Sequence, residues 1–200
     1  MPSPSEEYWT ASDDPYLDPA TGLLRNLQNF TTQSRLDAFE EIMFQSHLPE
    51  AASYCHNIEN FSFQIWADVH AICFGDVYDW AGEARTVRLK KGDTVFGYPE
   101  YIMAETDKIF GSLMTDLLQG RFNIDSCAYY YGELNVIHPF REGNGRTQRI
   151  LFSEIARRAG YEIDYTKMET GEFIQALIAS YHSDNTPLKG LFRRIMRQAL

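Results

Sequence analysis

Apolar residues recur three and four positions apart along most of this chain, which is the pattern of helices that bury one face. The first helix is predicted to begin after Thr31 or Thr32 and to end at Pro49, because proline disrupts a helix interior. Five further helices are predicted around these apolar groups: Phe63, Trp66, Val69 and Ile72; Ile102, Ile109, Phe110 and Leu113; residues 128–137; Ile150, Leu151, Phe152 and Ile155; and Phe173, Leu177 and Ile178.

Residues that favour helix ends divide this pattern into separate elements. The predicted starts are Ser62, Pro99, Asn123 or Asp125, Thr170 or Gly171, and Pro187, and the predicted stops are Gly75, Gln119-Gly120 and Gly160. Residues 161–165 are predicted to form a short link. The last helix carries late basic residues that suit its negative end and are expected to form a solvated face: Lys189, Arg193, Arg194 and Arg197.

One stretch departs from the helical pattern. Residues 85–89 and 94–97 favour strands, and residues 90–93 supply the turn between them, so a β-hairpin is predicted. In a helical protein, a lone hairpin leaves backbone edges unpaired, and such an edge can receive a peptide strand from another molecule. The alternative is a loop with no role in binding.

Length and composition indicate a single domain. The chain has 200 residues, of which 44% are hydrophobic, and this is enough for one well-filled core. Residues 1–19 are rich in proline, serine and acidic residues, so we predict a loosely ordered N-terminal arm there. Residues 20–200 are predicted to form the domain.

Charge and cysteine content narrow the class of partner. The formal net charge of −10 argues against direct nucleic-acid binding, which needs a basic surface, so a macromolecular target is expected to be a protein. Cys55, Cys73 and Cys127 are widely spaced and are interpreted as reduced thiols. The sequence shows neither a signal peptide nor a run of membrane-spanning length, so no membrane association and a cytoplasmic setting are expected.

Residues 138–149, which we call the motif, concentrate the candidate chemistry between two predicted helices: His-Pro-Phe-Arg-Glu-Gly-Asn-Gly-Arg-Thr-Gln-Arg. Gly143 and Gly145 allow positive φ and lack a Cβ, so backbone N–H groups can converge on an anion at the start of the second helix. Asn144 adds an amide donor and tolerates left-handed geometry. Arg146 and Arg149 lie three positions apart, where their guanidinium groups can bind oxygens further along a polyphosphate.

Two other motif residues fit chemistry on a bound polyphosphate. Glu142 is a hard oxygen ligand beside this anion site and suits Mg²⁺ better than zinc. His138 has an ordinary pKa near neutrality, which fits a general base acting on a hydroxyl. The alternative readings are a simple Gly-Asn-Gly turn and a structural histidine. Pro139 and Phe140 are interpreted as loop and core residues, and His70 as structural.

The motif resembles the HxFx(D/E)GNGRxxR signature of the Fic family and matches it at every specified position. The resemblance implies a mainly α-helical fold with one β-hairpin, called the flap, and transfer of AMP from Mg-ATP to a Ser, Thr or Tyr hydroxyl of a protein. It implies the following roles: His138 as base, Glu142 as Mg²⁺ ligand, Gly143, Asn144 and Gly145 as the anion site, and Arg146 and Arg149 on the β- and γ-phosphates.

Two other segments resemble the same family. Residues 16–26 are similar to the lead-in of many Fic proteins, and Trp80-Ala-Gly82 precedes a hairpin that resembles the flap, which in the family registers the target side chain over the active site. Fic-fold enzymes that transfer UMP, phosphocholine or phosphate are alternatives, and so is a non-catalytic binding module. The intact Gly143-Asn144-Gly145 argues against the kinase-like branch.

Many Fic proteins carry an inhibitory helix with the pattern Ser/Thr-x-x-x-Glu-Gly/Asn, whose glutamate pairs with the final motif arginine. The nearest match here, residues 46–51, ends in Ala51 and contains Pro49, so it is not counted. The chain therefore resembles Fic toxins that a separate small antitoxin inhibits through such a helix. For toxins of this type the family suggests DNA gyrase and topoisomerase IV as targets.

Overall fold

The computed structural model describes residues 14–199, and this part of the chain is mainly α-helical, as predicted. Its seven α-helices are α1 (Gln33–His56), α2 (Phe63–Phe74), α3 (Ile102–Leu118), α4 (Ile124–Ile137), α5 (Asn144–Arg158), α6 (Thr170–Tyr181) and α7 (Thr186–Ile195). Its four short strands are β1 (Lys90–Lys91), β2 (Thr94–Val95), β3 (Tyr161–Ile163) and β4 (Met196–Gln198), and single 3₁₀ turns cover Pro99–Tyr101 and Tyr165–Lys167.

Side-chain caps begin α2, α4 and α6, and the predicted helix starts are confirmed. Ser62 caps α2 by accepting a hydrogen bond from the Ile65 N–H, and Asn123 forms a capping box with Ser126 at the start of α4. Gly160 follows α5 with φ of 80°, a left-handed conformation that suits a residue just past a helix.

The prediction that Pro49 ends the first helix is wrong, because α1 continues through Pro49 to His56. Proline removes one backbone donor and costs about 3 kcal/mol inside a helix. Ala51 and Cys55, in the turns after it, are fully buried against the core. Burial of this second half of α1 offsets the local cost, since tertiary packing commonly outweighs propensity.

The predicted hairpin is present, but both strands are shorter than expected, and the first lies further along the chain. Lys90 pairs with Val95 and Lys91 with Thr94, so the two lysines expected in the turn belong to β1. Gly92, with φ of 56°, and Asp93 make the two-residue turn. Residues 85–89 are not a regular strand, because the buried side chain of Arg85 binds the neighbouring backbone carbonyls instead.

A second two-stranded sheet was not predicted. Residues 161–163, expected to be a link, form β3 and pair antiparallel with β4. Glu162 and Arg197 face each other in this register and form an ion pair at 2.8 Å. Arg193 and Arg194 likewise pair with Asp125 and Glu172, so these basic residues make specific surface contacts.

The core lies between α4, α5 and the helices packed around them. Phe140, Phe152 and Leu134 are fully buried, and the three free cysteines are buried as well. The predicted arm includes residues 14–19, and there Tyr16 is buried against Trp80. Residues 1–13 lie outside the described part. None of the helices within residues 14–199 combines the length and apolar composition that crossing a bilayer requires.

Candidate active site

The motif begins at the end of α4 and continues into α5, as its glycines and arginines predict. His138 is the C-cap residue of α4 and has a left-handed backbone, with φ of 50° and ψ of 65°. Gly143 is the N-cap residue of α5 and is also left-handed. Residues 139–143, which we call the motif loop, therefore connect two helix ends, and each end is set by one residue in an unusual conformation.

Asn144 closes the motif loop with its side chain. Its Oδ1 accepts a hydrogen bond from the Phe140 N–H, and its Nδ2 donates to the Phe140 carbonyl, both at 2.8 Å. The side chain of Asn144 therefore holds the loop closed, and donation by its amide to an anion stays a prediction. Phe140 is fully buried against Phe63 and Trp66, as its interpretation as a core residue predicted.

Gly143 and Gly145 differ in backbone conformation and in the space that a Cβ would have. At Gly143, with φ of 78°, a Cβ would lie 2.5 Å from the ring of Phe74. Gly145 is helical and needs no positive φ, contrary to the prediction. A Cβ at Gly145 would meet only the Nη1 of Arg149, at 3.6 Å, so the space above this turn is open.

The first turn of α5 presents backbone donors at that open space. The first intrahelical bond near the start of α5 runs from the Thr147 N–H to the Gly143 carbonyl, at 3.1 Å. The N–H groups of residues 144–146 precede that bond, as the first N–H groups of any helix do. Together with the positive end of the helix dipole, they form the expected anion site.

The imidazole of His138 is oriented by its own helix and by the hairpin. Its Nδ1 donates to the Asn135 carbonyl at 3.3 Å, which assigns the basic lone pair to Nε2. The ring of Phe96, which follows β2, stacks on it with centroids 3.9 Å apart. Burial, reinforced by the positive charge of Arg85, lowers the pKa of His138 to about 3. The imidazole is therefore neutral at physiological pH.

His70 holds the backbone of Glu142, the expected metal ligand. The Nε2 of His70 lies 2.9 Å from the Glu142 carbonyl, and its Nδ1 accepts a hydrogen bond from the Gly82 N–H. Burial lowers the pKa of His70 to about 3, so this histidine is neutral and structural, as predicted. The Glu142 carboxylate accepts a hydrogen bond from the Gly143 N–H at 2.9 Å.

Arg146 is held by a carboxylate from a distant helix. Its Nη2 lies 2.5 Å from Oε1 of Glu40 on α1, and the second oxygen of Glu40 accepts a hydrogen bond from the Tyr78 hydroxyl. The guanidinium also lies 4.7 Å from the centroid of the Phe74 ring. Burial raises the pKa of Glu40, and the charge of Arg146 opposes this. Arg146 therefore has a carboxylate partner from outside the motif.

Arg146 and Arg149 both line a cavity of about 410 Å³ between α1 and α5. Apolar side chains such as Phe44, Leu48 and Ile150 form much of its wall. His138 and Glu142 do not line it. Within the described residues, no carboxylate lies within salt-bridge distance of Arg149.

The start of the described chain supports the motif loop and the hairpin. Asp14 and Arg141 form an ion pair at 3.0 Å, and both side chains are almost fully buried. The Thr86 N–H, at the base of the hairpin, donates to the hydroxyl of Tyr16. Residues 14–16 therefore contact both segments that shape the site.

Comparison with known proteins identifies relatives over most of the chain. A model of the Fic/DOC family matches residues 60–156. A probable protein adenylyltransferase from Sinorhizobium fredii is 39% identical, over 94% of this chain and 98% of that protein. The probable protein adenylyltransferase Fic of Escherichia coli is 31% identical over 93% of this chain and 94% of its own length. The protein adenylyltransferase VbhT of Bartonella schoenbuchensis is 34% identical, but the match spans 40% of that protein.

These relatives define an enzyme of the nucleotidyltransferase class. The chain belongs to the Fic/DOC family. Solved structures show the same fold: the BepC protein of Bartonella tribocorum with bound AMPPNP superposes with a TM-score of 0.79 at 20% identity, covering 93% of this chain and 98% of that one. The N-terminal Fic domain of a Bep effector from Bartonella quintana with bound ADP gives 0.79 at 23% identity, covering 92% and 95%.

Sequence analysis missed three residues that contact the motif: Glu40, Arg85 and Asp14. Each is a charged residue to which sequence analysis gave no role, although Arg85 lies in the predicted hairpin. The only available signal was an acidic or basic residue at a position expected to face the core, and that signal is weak without a known partner.

Proposed function

We propose that this protein transfers AMP from Mg-ATP to a Ser, Thr or Tyr hydroxyl of a target protein and releases pyrophosphate. The observation that carries the proposal is the pairing of a neutral histidine, His138, with the N-terminal anion site of α5 across one short loop. The Fic/DOC relatives named protein adenylyltransferases support the same reaction.

In the proposed reaction, Nε2 of His138 accepts the proton of the target hydroxyl as its oxygen attacks the α-phosphorus of ATP. The polyphosphate raises the low pKa of His138 towards neutrality, because nearby negative charge favours imidazolium. The bond between the α-phosphorus and the bridging oxygen breaks, and pyrophosphate leaves. The N–H groups at the start of α5, with Arg146 and Arg149, stabilise the charge that develops on it.

The residues present fit a magnesium ion. Mg²⁺ usually binds through one or two carboxylates together with substrate phosphates, so a protein cage of several ligands is not required. Glu142 supplies one carboxylate beside the α5 anion site. Bound there, the ion would neutralise phosphate charge, while His70 keeps the Glu142 backbone in place.

Incubation with labelled nucleotides and a cell lysate tests this proposal. Label from α-labelled ATP and none from γ-labelled ATP is expected on a protein band, and chelation of magnesium should abolish this labelling.

His138→Ala should lower the rate of transfer about 10²- to 10⁴-fold with ATP binding nearly intact, because the base acts on the hydroxyl. Wild-type turnover in His138→Ala, or label carried by UTP, a phosphocholine donor or γ-labelled ATP alone, would contradict it.

For the target we propose a protein, with DNA gyrase and topoisomerase IV as the first candidates by family analogy alone. Purified gyrase and topoisomerase IV can be offered as substrates in the same assay. Absence of label on both, with label on another lysate protein, would reject these two candidates and leave the transfer activity standing.

We further propose that a separate small antitoxin inhibits the enzyme by placing a helix in the cavity beside Arg149. The apolar wall formed by Phe44, Leu48 and Ile150 suits a helix face, and Arg149 can bind a glutamate from a Ser/Thr-x-x-x-Glu-Gly/Asn helix. That carboxylate would occupy the γ-phosphate position. Within the described residues Glu50 does not take this role, because it is 68% exposed and lies near His47.

Co-expression with a partner that carries this pattern tests the inhibition. Leu48→Asn should weaken co-purification, because it places a polar group on the apolar wall without adding a carboxylate beside Arg149, and AMP transfer by this variant without the partner is the reference. Glu→Gly in the partner should restore transfer while the two proteins still co-purify. Full inhibition by that partner variant would show that a carboxylate on Arg149 is not the cause.

A further inference from the structure

A buried arginine outside the motif makes an unusual set of contacts at the active site. The guanidinium of Arg85 is almost fully buried and donates to four backbone carbonyls. The four bonds run from Nε to His138 at 2.7 Å, from Nη1 to Val87 at 2.5 Å, and from Nη2 to Gly97 at 2.5 Å and Ile137 at 3.0 Å.

These carbonyls belong to two different segments. Ile137 and His138 end α4, whereas Val87 and Gly97 flank the hairpin on either side. Backbone bonds join the same segments, from the Arg85 N–H to the Pro139 carbonyl at 2.8 Å and from the Gly97 N–H to the Val136 carbonyl at 2.9 Å. Arg85 therefore connects both ends of the hairpin to the residue expected to act as base.

The cost of this arrangement indicates that it has a role beyond filling space. A buried charge without a carboxylate partner is costly to desolvate, and within the described residues no carboxylate lies within salt-bridge distance of Arg85. Burial lowers the pKa of Arg85 to about 10, so the guanidinium stays charged at neutral pH. The carbonyls at the C-terminal end of α4 carry the negative end of the helix dipole and compensate part of this cost.

The base needs such support because its backbone is strained. His138 is left-handed, a conformation that is unfavourable for an L-residue, and its carbonyl is held by Nε of Arg85. Its imidazole stacks on Phe96, and Phe96 directly precedes Gly97, whose carbonyl Arg85 also holds. Movement of the hairpin relative to α4 would therefore shift the ring of the base as well.

We propose that Arg85 is a positioning residue that fixes the hairpin to the C-terminal end of α4, and thereby aligns the imidazole of His138 with a target chain docked on the hairpin. This inference rests on the proposed transfer of AMP. Arg85 itself does not touch the anion site at the start of α5, so it acts on the target side of the reaction.

Replacement of Arg85 tests this role through a split between rate and nucleotide binding. In Arg85→Gln, the kcat for target modification should fall about a hundredfold, because a misplacement of about 1 Å costs that much. The Kd for ATP by calorimetry should change less than about twofold. Arg85→Lys keeps the charge but cannot make the same four hydrogen bonds. Its kcat should lie between that of the wild type and that of Arg85→Gln. Arg193→Gln, which removes the same charge at a surface position that is 61% exposed, should change kcat less than about threefold.

Equal kcat in wild type and Arg85→Gln, or parallel losses of kcat and ATP affinity, would overturn the positioning role. Absence of transfer in the wild type would instead reject the proposed function. If Arg85→Gln does not fold, hydrogen exchange on the wild-type protein decides. The N–H groups of Arg85 and Gly97 should be as protected as those in the middle of α4, and rapid exchange would show that the hairpin moves independently of the base.

Discussion

Single residues at this site are constrained mainly by backbone conformation and close packing. Gly143 combines a positive φ with contact to the ring of Phe74, so no other residue type fits there without movement. His138 adopts a similar left-handed conformation with a full side chain, and the bonds around it compensate the strain. The motif therefore contains one position where glycine avoids backbone strain and one, His138, where the proposed base keeps its side chain in spite of it.

Gly143→Ala should lower the free energy of unfolding by about 2–4 kcal/mol, the sum of left-handed strain and overpacking against Phe74. Gly145→Ala is the matched control, because its Cβ meets only Arg149 at an ordinary distance and alanine favours a helix. Gly145→Ala should keep or raise stability but weaken ATP binding by filling the anion site. Urea denaturation and calorimetry measure both, and equal destabilisation by the two variants would contradict this account.

At the scale of elements, the hairpin has two backbone edges, and its register shows which residues form them. The Phe96 N–H bonds to the Leu89 carbonyl, and bonded and non-bonded pairs alternate along antiparallel strands. Lys90 and Val95 therefore form the non-bonded pair, and their N–H and C=O groups point away from the hairpin. Either edge can accept an added strand.

Proline at an outward position should block strand addition and keep the hairpin, because the lost N–H is not used within it. We expect Lys90→Pro or Val95→Pro, whichever lies on the docking edge, to lower target modification at least about tenfold, with ATP affinity unchanged. The variant on the opposite edge serves as the control. Modification at the wild-type rate by both variants would show that the target does not dock by backbone pairing.

At the scale of the whole molecule, two buried neutral histidines make stability depend on pH. Burial lowers the pKa of His70 and of His138 to about 3, below the ordinary value of 6.5. Between pH 6.5 and 3 the unfolded chain therefore binds more protons at these positions than the folded one. Stability is complete above pH 6.5 and falls as the pH drops through this window.

At pH 5 each of the two histidines should reduce the free energy of unfolding by about 2 kcal/mol relative to pH 7. His138→Gln should shrink the difference between pH 7 and pH 5 by that amount, since glutamine does not titrate. Leu118, which is 81% exposed and does not titrate, provides the control, and Leu118→Ala should leave the difference unchanged. Urea denaturation at both pH values is the measurement, and an unchanged difference in His138→Gln would show that this imidazole is charged in the folded protein.

The sequence by itself determined the features that depend on neighbouring residues. Helix starts at Ser62 and Asn123 follow from capping within three residues, and the motif loop follows from the glycines and arginines around it. The family signature likewise lies within one dozen residues, so candidate site residues such as His138 and Glu142 could be proposed without coordinates.

Only the tertiary structure decided which distant charges meet. Glu40 lies 106 positions from Arg146, Asp14 lies 127 from Arg141, and Arg85 lies 53 from His138. No local pattern encodes such pairs, because burial and chain path bring them together after the helices have packed. The continuation of α1 through Pro49 has the same cause: local propensity ends the helix there, and burial of the residues beyond it against the core outweighs that preference.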